Sequence, residues 1–127
     1  MKRNVTLQPL SREHHTALTL AKACERAAQS GNGEIISQTC QRACLAFTNE
    51  LEPHFRVEES SLLPMLLSAD AQLLAQRTAV DHQQLRELVN GLRQNDAEAL
   101  AEFGKCLSAH VRFEERELFP AIEALLD

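Results

Sequence analysis

Four stretches of this chain repeat apolar residues at the three-, four- and seven-residue steps of an α-helix, and each carries polar residues on the apolar stripe itself. The first runs through Leu10, His14, Leu18, Ala21 and Ala28 and stops at Gly31-Asn32-Gly33. The second passes through Ile36, Cys40, Ala43, Phe47, His54, Glu58, Leu62 and Met65, with Pro53 and Pro64 inside the pattern. A third holds Leu74, Thr78, His82, Leu85 and Val89 and closes at Asn90-Gly91, and the fourth holds Leu100, Phe103, Leu107, His110, Glu114, Leu118 and Ile122. Ser11, Asp70 and Asn95-Asp96 are the expected caps of the first, third and fourth. The prolines predict a kink just before His54 and a disturbed end near Pro64. No segment alternates with period two. The expectation is all-α: one domain over residues 1–127, with helices at about 10–29, 34–67, 70–90 and 96–125. Short connections make neighbours antiparallel, an up-down-up-down four-helix bundle.

The polar interruptions are not random. The stretch His54-Phe55-Arg56-Val57-Glu58-Glu59-Ser60-Ser61-Leu62-Leu63-Pro64 recurs as His110-Val111-Arg112-Phe113-Glu114-Glu115-Arg116-Glu117-Leu118-Phe119-Pro120, and the copies agree at six of eleven positions. What repeats is a His followed four residues later by a Glu, which a helix places one above the other on one face. Upstream of each copy lies an acid-His pair in a helical run, Glu13-His14 and Asp81-His82. A buried carboxylate without a partner costs several kcal/mol. Two such carboxylates, each with an imidazole one turn away, form the pattern of a metal site built inside a bundle, and imidazole with carboxylate suits iron, manganese or zinc. A single such pair is ordinarily a solvated ion pair contributing a few tenths of a kcal/mol. Two aligned copies, each with its own acid-His helix, favour the metal.

The candidate ligands are His14, His54, Glu58, His82, His110 and Glu114. His14 is preferred to His15 because it lies seven and four residues before Ala21 and Leu18 on the stripe, whereas His15 falls at the rim. Glu59 and Glu115 lie about 100° round the helix from the inward Glu. With Arg56 and Arg112 they read chiefly as surface residues, so Glu59→Ala and Glu115→Ala are expected to leave metal content unchanged.

Composition narrows the class. The chain has 127 residues, a formal charge of −5, five Phe and neither Trp nor Tyr. Its core is therefore aliphatic, and no basic stripe offers a nucleic-acid surface. No apolar run reaches the ~20 residues that cross a bilayer, and nothing at the N-terminus has the form of a signal peptide. The expected location is the cytoplasm, where Cys24, Cys40, Cys44 and Cys106 would be reduced thiols that fill space.

Together these residues resemble the hemerythrin-like, HHE cation-binding domain over nearly the whole chain. The resemblance rests on Glu13-His14 with Leu18, His54 with Glu58-Glu59 and Pro64, Asp81-His82 with Leu85, and His110 with Glu114-Glu115 and Leu118-Phe119-Pro120. It implies a hemerythrin-like bundle holding two iron ions joined by carboxylates and an oxo or hydroxo group. His14, His54, His82 and His110 would be terminal ligands, with Glu58 and Glu114 as bridges. The implied partners are small: O2, NO or peroxide. Oxygen-carrying hemerythrins use five His, two of them one turn apart on the third helix. Here Thr78 and Arg86 stand at that spacing from His82. The set of four His and two Glu is more similar to iron-centre repair proteins and to hemerythrin-like iron or oxygen sensors. With an open position on each metal, ligands are expected to reach either iron. The readings carried forward are a di-iron sensor or scavenger, an iron donor or peroxide-reducing enzyme, and a structural bundle with ion pairs alone.

Overall fold

The computed structural model describes residues 3–126. Its first helix, α1, spans Gln8–Gln29 and begins earlier than Ser11. Pro9 sits in the first turn, where a missing N–H leaves no hydrogen bond unmade. Ser11 is therefore inside the helix, and its hydroxyl is free to bond elsewhere. After Ser30 the chain reverses at Gly31, whose φ of 66° is one that glycine adopts without steric cost.

Asn32 caps α2 (Gly33–Ala46) by accepting the Glu34 and Ile35 amides. The long second rod then continues through a π turn at Phe47–Leu51, α3 at Glu52–Val57, a second π turn at Glu58–Leu62 and a closing turn at Leu63–Met65. The expected kink near His54 thus takes the form of a widened turn. The Glu52 amide bonds to the Phe47 carbonyl and the Leu63 amide to the Glu58 carbonyl, each five residues back and each donated by the residue before a proline. Widening moves the preceding carbonyls away from the pyrrolidine ring, so the rod passes Pro53 and Pro64 without breaking.

The third rod, α4, spans Ala69–Leu92. Its cap is Ser68, which accepts the Ala71 amide, and Asp70 lies in the first turn, where its charge meets the positive end of the helix dipole. Gly91 does not end this helix. A Cβ there would strike that of Ala99, so the glycine admits the next rod, and the reversal falls at Asn95 with φ 57°. Asp96 caps α5 (Ala97–Phe113) through the Glu98 and Ala99 amides. A third π turn at Glu114–Leu118 precedes Pro120 and leads into α6 (Phe119–Leu126).

The result is an up-down-up-down bundle of four rods with no strand among the described residues. Each of α1 and α4 packs against both α2 and α5. Two apolar layers fill it. One joins Leu20, Phe47, Phe55, Leu85, Phe103 and Leu107, and the other joins Leu7, Leu10, Leu62, Phe113, Phe119 and Ile122. His14, His54, Glu58, His82, His110 and Glu114 are buried between them in sequence position along every rod. All four cysteines are free: Cys24 and Cys40 are in the core, and burial pushes the Cys24 thiol up to about 12.

The α1–α5 packing is the most extensive in the bundle and depends on Gly104, where an added Cβ would lie 2.7 Å from the Ala21 carbonyl oxygen. Backbone cannot retreat as a side chain can. Gly104→Ala is expected to cost about 1–3 kcal/mol in urea unfolding. Gly33→Ala, with nothing within 4 Å of the new methyl, should instead stabilise α2 by about 0.5–1 kcal/mol.

Candidate metal centre

The repeated His and Glu are brought together from all four rods. His14 comes from α1, His54 from α3 with Glu58 just beyond it, His82 from α4, and His110 from α5 with Glu114 just beyond it. Each His-to-Glu pair straddles the junction from α-helix to π turn, so each Glu begins a widened turn while its backbone still aims it inward. Glu58, Glu114 and His82 are 0% exposed.

Each carboxylate directs its two oxygens to different imidazoles. Glu58 Oε2 lies 3.1 Å from His54 Nε2 and Oε1 lies 3.0 Å from His82 Nε2. Glu114 Oε1 lies 2.7 Å from His14 Nε2 and Oε2 lies 3.1 Å from His110 Nε2. The donors thereby form two groups, His14-His54-Glu58-Glu114 and Glu58-His82-His110-Glu114, each with ligand atoms within 4.8 Å of one another. Both Glu belong to both groups. His15 is exposed and stands outside them. Of the two positions one turn from His82, Arg86 is committed to Glu52 and Glu59, and Thr78 is fully buried with its hydroxyl donating to the Leu74 carbonyl.

The other ring nitrogen of every histidine meets a second carboxylate. His14 Nδ1 is 2.6 Å from Glu115, His54 Nδ1 2.8 Å from Glu13, His82 Nδ1 2.8 Å from Glu59 and His110 Nδ1 2.9 Å from Asp81. A proton held at Nδ1 by a carboxylate leaves Nε2 as the inward, metal-facing nitrogen and fixes the ring's orientation. Glu59 and Glu115 are therefore not simply surface residues. A rotation of about 100° from the inward face points toward the adjacent helix in a four-rod bundle, not to solvent. The acid-His pairs also have a use that their spacing did not disclose, because Glu13 and Asp81 serve His54 and His110 rather than the His beside them.

Cations steady these outer carboxylates. Arg86 grips Glu59 at 3.0 Å and Glu52 at 2.7 Å, Arg3 reaches Glu115 at 3.2 Å, and the Ser11 hydroxyl donates to Glu115 at 2.7 Å. Arg56 and Arg112 are exposed, as the sequence reading had them. Phe55 stacks on His82 with centroids 4.0 Å apart, and Phe119 stacks on His14 at 5.1 Å. An exposed-looking Arg or Ser gives no periodic signal, and only folding reveals which carboxylate it meets.

Charge in the metal-free layer is held by mutual attraction. Burial opposes protonation of His54, but Glu114, Glu58 and Glu13 outweigh it and bring the ring to about 11; Glu114 and Asp81 similarly bring His110 to about 9. Burial also opposes ionisation of Glu114, yet the positive charges of His110, His14 and His54 around it, with the hydrogen bond from His14, hold it well below the usual carboxylate range. Burial and the neighbouring Glu114 push Glu58 up. His110 Nε2 and Glu114 Oε2 nonetheless have no hydrogen-bond partner among the described residues, although both are buried. A cation shared by an imidazole nitrogen and a carboxylate oxygen satisfies both atoms, so the donor set fits a metal.

This geometry, a four-helix bundle with a buried His/Glu layer, defines a metal-binding protein. The model of the hemerythrin HHE cation-binding domain matches residues 5–122, and the chain belongs to that family. Comparison with curated proteins and with solved structures gives no match.

Two predictions come from this layer. Glu59→Gln and Glu115→Gln should each weaken metal retention by about 10–100-fold in a chelator competition, the range for partners that orient a ligand, rather than leave it unchanged. Metal uptake at neutral pH should release protons, because the imidazoles are protonated below their raised values and a metal needs Nε2 bare. Calorimetric titration in buffers of differing ionisation enthalpy measures that release. In the metal-free protein the same raised values contribute stability that is full below 6.5 and lost as pH rises through about 9 and about 11, so its melting temperature should fall over that window.

Proposed function

We propose that this chain is a di-iron protein whose metal pair meets a small oxidant or diatomic ligand, O2, NO or peroxide, in a sensing, scavenging or iron-handling role. The observation that carries it is the sharing of Glu58 and Glu114 between two four-residue donor groups. One ion needs neither two groups nor carboxylates with an oxygen turned to each. The ion-pair reading leaves His110 Nε2 and Glu114 Oε2 3.1 Å apart without the alignment of a hydrogen bond, a defect that a shared cation removes.

In this reading His14 and His54 would hold one iron and His82 and His110 the other, with Glu58 and Glu114 available to both. Bound iron supplies redox change and Lewis-acid attraction for oxygen and nitrogen donors. The chain supplies the rest. Glu13, Glu59, Asp81 and Glu115 keep each Nδ1 proton in place, so each Nε2 lone pair points inward. The two apolar layers keep bulk water from the donors, which strengthens every electrostatic contact among them.

Access is unequal. A cavity of about 510 Å³ between α1 and the second rod reaches His14, His54 and His110. His82 is not among its walls and lies under Phe55. In this proposal ligands approach from the His14–His54 side, with His110 of the other donor group also on the cavity wall.

Elemental analysis after iron-supplemented expression should give two irons per chain, in line with the two donor groups. Glu58→Ala and His14→Ala should lower that content, while His15→Ala keeps it. A content near zero, or loss on changing His15 but not His14, would overturn the assignment.

A further inference from the structure

The cavity beside His14 and His54 is far larger than a diatomic ligand requires. Its volume of about 510 Å³ compares with roughly 30 Å³ for one water, and lies within the range of roughly 300–1,000 Å³ typical of sites for small organic molecules. Ala17, Leu20, Ala46, Leu51, Phe55 and Val111 contribute apolar walls, a surface that water wets poorly and an organic body covers well. The inner end is polar, formed by His14 and His54. Of the charged side chains on its walls, Glu13 is bonded to His54, and Glu50 and Arg42 carry opposite charges, with Asn49 also on the wall. Both ring nitrogens of His14 and of His54 already meet carboxylates, so the metal-free inner end offers an anionic ligand no free cationic donor, and the apolar walls give no compensation for burying a charge of either sign.

We propose that this cavity binds a neutral organic molecule with one oxygen-bearing end, the class that includes alkyl and aryl hydroperoxides and their alcohols, its apolar body between α1 and the second rod and its oxygen end at His14 and His54. The placing of the oxygen end rests on the two-iron reading, whereas the seat of the apolar body does not. Peroxide in its organic form is then the ligand that uses the whole cavity, and hydrogen peroxide uses only the inner end.

The test uses octanol and octanoate, which share a chain length and differ in charge at one end. They are titrated separately into the metal-free and the zinc-loaded full chain and followed by NMR shifts of the Ala17, Leu20 and Val111 methyl groups. Octanol should saturate one site in both forms and shift those methyls, with octanoate at least tenfold weaker in the metal-free form, where no metal takes its carboxylate. Ala46→Phe, which fills the cavity from the second rod, should weaken octanol at least tenfold with zinc content unchanged. Thr16→Phe, at an exposed position on the opposite wall, does the same from α1 if the first variant fails to fold. Absence of saturation, shifts confined to other methyls, octanoate binding the metal-free chain as tightly as octanol, or indifference to both substitutions would overturn the proposal. So would a dimer in sedimentation that closes the groove. Zinc bound without octanol sinks the cavity assignment alone. Octanol bound by a chain that takes no metal sinks the two-iron reading and keeps the cavity.

Discussion

Two fully buried glutamates in the middle of a helical bundle set the terms for everything around them. Glu58 and Glu114 lie side by side, each excluded from water, and two like charges so placed cannot both persist without cations. The four inward Nε2 atoms are the first answer: each is within 3.1 Å of a carboxylate oxygen. They answer it incompletely, because one nitrogen and one oxygen stay without a hydrogen bond. A bound cation would satisfy both atoms at once, which favours a binding site over a set of ion pairs alone.

The same constraint propagates outward. An imidazole that must face inward through Nε2 needs its Nδ1 proton held, and Glu13, Glu59, Asp81 and Glu115 do this from adjoining rods. Glu59 and Glu115 have partners of their own in turn, Arg86 for the first and Arg3 and Ser11 for the second. Because each link crosses from one rod to another, the polar layer ties the bundle together at the level where apolar packing is interrupted. Above and below it the two apolar layers close the structure in the ordinary way.

Local backbone geometry follows the same demand. Pro53, Pro64 and Pro120 each come two residues after a π turn, and two of those turns begin on Glu58 and Glu114 themselves. Proline removes an amide and crowds the preceding turn, and the widened turn absorbs both effects without ending the rod. The helix therefore continues past the site on both repeats, carrying Leu62 and Leu118 into the second apolar layer.

Much of this was written in one dimension. The apolar stripes placed four rods, and the repeat of His and Glu at one-turn spacing, with the acid-His pair upstream of each copy, singled out the six residues that the fold gathers, because helical periodicity maps sequence distance directly onto a face. Caps were less legible: Ser68 rather than Asp70 caps α4, since neighbouring polar residues compete for a cap on nearly equal terms, and α1 starts after Leu7 with no side-chain cap and Pro9 in its first turn. What lay beyond the sequence was every relation between rods. That Glu59 and Glu115 hold histidines, that Glu13 serves His54 rather than its neighbour His14, that Arg86 braces Glu59, and that a cavity opens beside His14 and not His82 all depend on which helix faces which. Periodicity along one helix carries no information about the neighbour it meets, and only packing in three dimensions assigns those partners.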